Sequence, residues 1–181
     1  MGDATVSPVI GGNVYVAAVN QSDDTVSEFT MNMTTGNLSP VPGSPFSTGS
    51  GPQWVAFDSV GGNGFVAVTD INTDKVSAYK MSLPSGALTP VPGSPFATPP
   101  GPYTDTFSPD GSVLAIGDNG DSSFSLFTIN PTTGSLSPFT GSPYPAGGGT
   151  NYVTFNPTGS LIATANWNDG TSSLYAISPA L

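Results

Sequence analysis

Four apolar runs recur along the chain: VYVAAV at 14–19, FVAV at 65–68, VLAI at 113–116 and LIATA at 161–165. Continuous runs of this length between turn residues suit strands covered on both faces, although a short buried helix gives the same signal. The last three follow a segment ending in Phe (WVAF, TDTF or YVTF), and in two units a turn, SPDGS or NPTGS, stands between. Pro, Asp and Gly favour such reversals. After each run come an Asn/Asp/Gly turn and an alternating segment, VSEFTM, VSAYKM, FSLFTI or SLYAI. Alternation with period two is the mark of a strand.

A further segment completes three of the four units: NLSPVPGSPF at 37–46, ALTPVPGSPF at 87–96 and SLSPFTGSPY at 135–144, spaced by 50 and 48 residues. It opens on a strand-like Leu and then meets prolines, which cannot donate to a ladder, so it belongs at a sheet edge that it also protects from foreign strands. Its closing aromatic, Phe46, Phe96 or Tyr144, is expected to plug the gap to the next unit. Phe57, Phe107 and Phe155 coincide in this frame, as do Phe29, Tyr79, Phe127 and Tyr175. Four strands per unit and a period of 48–50 predict an all-β fold, a β-propeller of about four four-stranded antiparallel blades. The expected blades are approximately 1–48, 49–98, 99–147 and 148–181 of a single repeat domain, the first and last being candidates for incompleteness.

Composition agrees with many short strands and turns: Gly (23) and Pro (19) approach a quarter of the 181 residues, and charged residues are only 8%. With eleven Asp, Glu28, two lysines and neither His nor Arg, the net charge is −10. Nothing is available to neutralise phosphates, which argues against nucleic acid and anionic membrane surfaces as partners. No apolar stretch is long enough to span a membrane and no signal sequence is visible. Cysteine is absent, so no disulfide framework or thiolate metal site is expected, and no cofactor is implied. The Ser/Thr/Asn/Gly-rich, cation-poor surface leans towards an extracellular or cell-surface location, and Asn20, Asn32 and Asn37 head sequons for N-glycosylation.

The combination of GP…VAF, SPDGS, TVSEF or KVSAY, and TTG followed by LSPVPGSPF resembles the lactonase-like propellers, a seven-bladed family that includes 6-phosphogluconolactonase and the related YVTN repeats. The resemblance covers nearly the whole chain and implies the propeller fold. For lactonases it also implies a site of acidic, basic and imidazole side chains along the central channel. This chain has carboxylates without His or Arg, and lactone hydrolysis needs a water activator and an oxyanion stabiliser. The hydrolase reading therefore ranks third here, behind a non-catalytic structural role and a binding module.

Candidate ligand residues are few. Asp105 stands where the sister units have Val55 and Val153 and is expected to be a solvated carboxylate near the channel mouth, with a cation or ligand contact as the sharper alternative. Asp70, Asn72 and Asp74 alternate like the start of a calcium loop, but Lys75 and Met81 occupy the positions that need Gly and Glu, which favours plain turn chemistry. Trp54, Tyr103, Tyr152 and Trp167 fall near one face, where they would suit glycan stacking or serve as core.

The last unit ends after its third strand, leaving an edge over Leu174, Tyr175, Ala176 and Ile177, while the first strand of unit one can come only from Ala4, Thr5 and Val6, aligning Val6 with Phe57. Unfilled blades want partners, so the expectation is self-assembly into a ring of two chains or a strand-donating fibre. A glycan- or ligand-binding propeller is the alternative.

Overall fold

Every apolar run and alternating segment becomes a strand in the computed structural model, which describes residues 3–58 and 64–177 and contains no helix among them. The first blade comprises β1 (Ala4–Val6), β2 (Val14–Asn20), β3 (Thr25–Met31), β4 (Leu38–Pro40) and the short β5 (Phe46–Ser47). The second comprises β6 (Pro52–Phe57), β7 (Phe65–Asp70), β8 (Lys75–Ser82), β9 (Ala87–Pro90) and β10 (Phe96–Ala97). The third comprises β11 (Pro102–Phe107), β12 (Val113–Asp118), β13 (Ser123–Ile129), β14 (Leu136–Pro138) and β15 (Tyr144–Pro145). In the fourth, β16 (Thr150–Phe155), β17 (Leu161–Asn166) and β18 (Thr171–Ala176) form three strands. All pairings are antiparallel, and the inner strands β1, β6, β11 and β16 adjoin one another in chain order. This is a propeller of four blades.

Packing occurs between blades. Tyr15, Ala17, Val26 and Val41 of the first blade meet Val55, Val66, Val68 and Leu88 of the second. Phe65, Ala67 and Val76 meet Leu114, Ile116 and Leu136 at the next junction, and Phe124 and Leu126 meet Val153 and Ile162 at the last. One side chain of this size contributes about 1.5–3 kcal/mol when buried, so the three layers hold the array together. Tyr79 adds a hydroxyl bond to the carbonyl of Ser47 (2.5 Å), and Tyr175 one to Pro145 (2.8 Å), each tying a third strand to the exit of the preceding blade.

The proline-rich phrase has a specific task at the rim. Val41, Val91 and Phe139 donate their N–H groups to the carbonyls of Glu28, Ala78 and Leu126, at 2.8–3.0 Å. The N–H groups of Glu28, Ala78 and Leu126 in turn donate to the hydroxyls of Ser44, Ser94 and Ser142, all at 2.9 Å. Beyond the two to four residues that pair as a strand, the phrase therefore satisfies the third strand's outward backbone groups with one amide and one hydroxyl. The turn that brings the serine round passes through Gly43, Gly93 or Gly141 at φ of 90°, 92° or 86°, a region that disfavours other residues.

In the first blade, Val6 pairs with Val16 as Phe57 pairs with Val66, which places Ala4, Thr5 and Val6 in their own sheet against Ala18, Ala17 and Val16. That segment is already used within its chain and is not free to be donated to a neighbour.

Candidate functional site

Each second strand ends on an Asn or Asp: Asn20, Asp70, Asp118 and Asn166 hold one register position. All four bond to the third strand of their own blade. Asn20 Nδ2 donates to Ser27 (2.8 Å), Ser77 donates to Asp70 Oδ2 (2.6 Å), Ser125 to Asp118 Oδ2 (2.7 Å), and Asn166 Nδ2 to Ser173 (3.0 Å). Asp70 and Asp118 are fully buried, and each has one oxygen without a hydrogen-bond partner. Burial pushes Asp70 up to about 6 and Asp118 up to about 8. This repeated clip is a polar signal that pattern reading missed, although the Asx and Ser positions were visible in the alignment of the four units.

The turns that follow account for the calcium-like spacing. Asp24 and Asp74 adopt φ of 54° and 53°, and their Oδ1 atoms accept the N–H groups of Gly51 (2.8 Å) and Gly101 (2.9 Å), at the start of the next blade. Asp70 turns inward to Ser77, whereas Asn72 and Asp74 are exposed in the turn, so the three do not converge. Among the described residues no group of three His, Cys, Asp or Glu side chains could hold a metal ion.

Nearer the axis, the register aligns Trp54, Thr104 and Tyr152 on three inner strands, with Asp3 preceding Ala4 at the matching place in the first blade. Trp54 and Tyr152 meet edge to face at 5.9 Å although a blade lies between them, and Thr104, on that blade, is buried. A bulge at the start of each inner strand inserts Gln53, Tyr103 or Asn151. Gln21 donates to Gln53 (2.9 Å), and Asn119 donates to Asn151, ties that pin the mouths of neighbouring blades. Trp167 is exposed at the last turn, apart from this group.

Asp105 is the largest departure from expectation. It occupies the place of Val55 and Val153, side chains that pack against the preceding blade, and it is 3% exposed rather than solvated. Neither of its oxygens has a hydrogen-bond partner. Burial first, and then the charges of Asp3 and Asp70, push it well above the usual carboxylate range. Asp3 accepts backbone N–H groups from Ala4 and Val55, yet burial still raises its carboxyl above the ordinary value. The fold thus brings two carboxyls, 102 positions apart in sequence, into electrostatic contact. The chain's single glutamate, Glu28, is buried in the first junction with both oxygens unpartnered, and burial lifts it to about 8.

Of the sequon residues, Asn32 and Asn37 lie exposed in the turn between β3 and β4, where Asn32 Oδ1 accepts the N–H groups of Thr34 and Thr35. Asn20 is partly buried with its amide committed to Thr25 and Ser27.

No family model and no curated protein sequence matches the chain. Solved structures do. A Bacteroides fragilis protein provisionally named a 6-phosphogluconolactonase superposes with a TM-score of 0.83 at 19% identity, over 99% of this chain and 51% of its own. Its counterpart from Bacteroides uniformis gives 0.81 at 19%, over 96% and 50%. The periplasmic gluconolactonase of Pseudomonas aeruginosa gives 0.80 at 21%, over 97% and 50%. The chain therefore spans about half the length of these structures. These likenesses correct the expected non-catalytic, architectural role and the ordering that put hydrolysis third, because these three structures carry the names of lactonases. Physically, that ordering rested on missing His and Arg and overlooked how burial alone can move carboxyls into the range of acid–base chemistry. In fold, the chain is similar to the lactonase-type β-propellers over about half of their length.

Proposed function

We propose that the chain acts as a lactonase-type hydrolase, opening the cyclic ester of a neutral sugar lactone at the axial end of its blades. The juxtaposition of Asp3 with the buried, unpartnered Asp105 carries this reading, in a fold shared with lactonases. Asp3, partly exposed, is the base: its carboxylate takes a proton from water as the oxygen adds to the lactone carbonyl. When the ring C–O bond breaks, the same proton passes from Asp3 to the departing ring oxygen, leaving a hydroxy acid. Asp105 is a positioning residue, a buried carboxyl without hydrogen-bond partners set beside Asp3. The Trp54 and Tyr152 rings offer an apolar face to the sugar.

The charge distribution favours an unphosphorylated substrate. There is no Arg, Lys75 lies at the start of β8, and Lys80 Nζ is bonded to the carbonyl of Thr132, so among the described residues no cationic side chain stands beside Asp3 to receive a phosphate. An exported location goes with this reading, supported by the periplasmic neighbour and the cation-poor surface. The test compares two variants on D-glucono-δ-lactone. Asp3→Asn removes hydrolysis, whereas Asp105→Asn, a change of similar size at a residue that touches no reacting bond, retains it. Equal rates for wild type and Asp3→Asn would refute the assignment.

A further inference from the structure

Two asparagines of the chain precede glycine, Asn63 and Asn119. Asn63 lies outside the described residues, whereas Asn119 and Gly120 open the turn between β12 and β13, where the third blade has a neighbour on either side. The backbone of this turn differs from that of its sisters. At the matching places in the second and fourth blades, Asn72 and Asn168 donate their N–H groups to the carbonyls of Ser50 (3.2 Å) and Gly148 (3.0 Å) in the preceding linker. Gly120 takes that place in the third blade and faces Pro100, and its N–H, on an exposed residue, has no acceptor among the described residues. Turn and linker lie so close that a Cβ on Gly120 would come 2.9 Å from the Pro100 carbonyl oxygen, and one on Gly101 2.7 Å from the Gly120 nitrogen. Close approach thus calls for glycine after Asn119, and the amide nitrogen of that glycine stays unbonded.

We propose that Asn119 is a site of spontaneous deamidation, at which the chain slowly exchanges a neutral contact between its third and fourth blades for a carboxylate. The nitrogen of Gly120 attacks Asn119 Cγ and closes a five-membered imide, and its proton leaves with the side-chain nitrogen as ammonia. Water then opens the imide at either carbonyl, giving aspartate or, with the side-chain methylene now in the backbone, isoaspartate. Glycine presents no side chain to hinder the ring closure. Asp110 and Asp169 also precede glycine, but they carry carboxyl groups, poorer electrophiles than an amide. Both are committed besides: Asp110 accepts from Ser108 and Ser112, with the Gly111 N–H bonded to the Ser108 carbonyl (2.9 Å), and Asp169 accepts the N–H of Gly148. The consequence falls on one tie. Asn119 Nδ2 donates to Asn151, the bulge residue at the start of β16, and neither product retains that donor. This single hydrogen bond joins two partly exposed amides and opens readily. In the first two blades Gln21 makes the matching tie to Gln53 (2.9 Å) with Ser22 behind it, and a glutamine forms its larger imide far more slowly.

The test incubates the purified 181-residue protein at mildly alkaline pH, with the same chain unfolded in urea as the reference for reactivity without the fold. A form carrying one more negative charge is expected to accumulate on ion exchange. Peptide mass analysis should place the replacement of NH2 by OH at Asn119, with Asn63 followed in its own peptide, and enzymatic carboxyl methylation reads the isoaspartyl share. Asn119→Gln, which keeps a side-chain amide as Gln21 does, should show no conversion at this position. In the acidic form, the backbone amide signals of 150–152 should shift while those of the first blade stay in place. Asn119 intact in the folded protein after the urea-unfolded chain has converted there would overturn the inference. So would an acidic form, converted at Asn119, whose Asn151 signals match those of the untreated protein.

Discussion

Asp70 and Asp118 end the second strands of adjacent blades in the same register, and backbone N–H groups of Gly49 and Ser77 lower Asp70 whereas none lowers Asp118. Gly49, whose N–H donates to Ser77 Oγ (3.1 Å) and also faces the carboxylate, approaches so closely that a Cβ there would lie 2.6 Å from Asp70 Oδ2. The chain position matching Gly49 in the next blade is Pro99, which has no N–H to give. Burial raises both carboxyls, Asp70 to about 6 and Asp118 to about 8, and the backbone N–H groups help to hold Asp70 lower. Pro99→Gly should therefore bring Asp118 down towards the value of Asp70, read from the carboxyl carbon shifts in a pH titration. A titration that stays near 8 would show that the proline is not the cause.

Stability should fall as pH rises. Glu28 and Asp118 both stand near 8 in the folded chain against ordinary values of 4.5 and 3.8, so the native state binds more protons than the unfolded state between about 4 and 8. The stability they support is complete below their unfolded values and is lost as pH passes through the folded ones. Asp70 acts in the same direction over a narrower window ending near 6, while Asp110, held low first by its bond from Ser108, opposes it only at acid pH. Melting temperatures should thus be higher at pH 5 than at pH 8.

Glu28 occupies the position of Ala78, Leu126 and Leu174, with no partner for either oxygen. Glu28→Leu should stabilise the protein at pH 8 by about 1–3 kcal/mol, since an unpartnered buried carboxyl gives way to an apolar side chain suited to its junction. Chemical denaturation at pH 5 and pH 8 checks this, the gain being larger at the higher pH.

Removing a rim hydroxyl has a different signature. Ser94→Ala leaves the N–H of Ala78 without an acceptor at an otherwise covered edge, and a cost of about 1–2 kcal/mol is expected in urea unfolding. Ser94→Thr, which keeps the hydroxyl, should recover most of it.

At the axis, Tyr152→Ala should raise KM for a sugar lactone about tenfold with little change in kcat, as Tyr152 forms half of the aromatic pair and touches no reacting bond.

Much of the fold was legible because each unit repeats its own punctuation. The aromatics at 57, 107 and 155 and the SPDGS-type turns locate inner strands, and the prolines of 37–46 and 87–96 locate rims. The site was less legible for a geometric reason. Asp105 was readable as an intruder in a Val position, but whether that position faces solvent or a neighbouring blade depends on which way β11 turns its alternate residues, and one strand's pattern does not settle that. Its proximity to Asp3 depends on two blades of the fold being in place. The clip from Asp70 to Ser77 was hidden for another reason: Asp, Asn and Ser near a turn satisfy turn chemistry and buried pairing equally well.

The most direct test of the central claim is the initial rate of acid release from D-glucono-δ-lactone by the purified chain, followed in a pH-stat against spontaneous ring opening. A saturable rate, proportional to protein and absent in Asp3→Asn, is the result expected. A rate equal to the spontaneous one at every pH from 5 to 8 would contradict it.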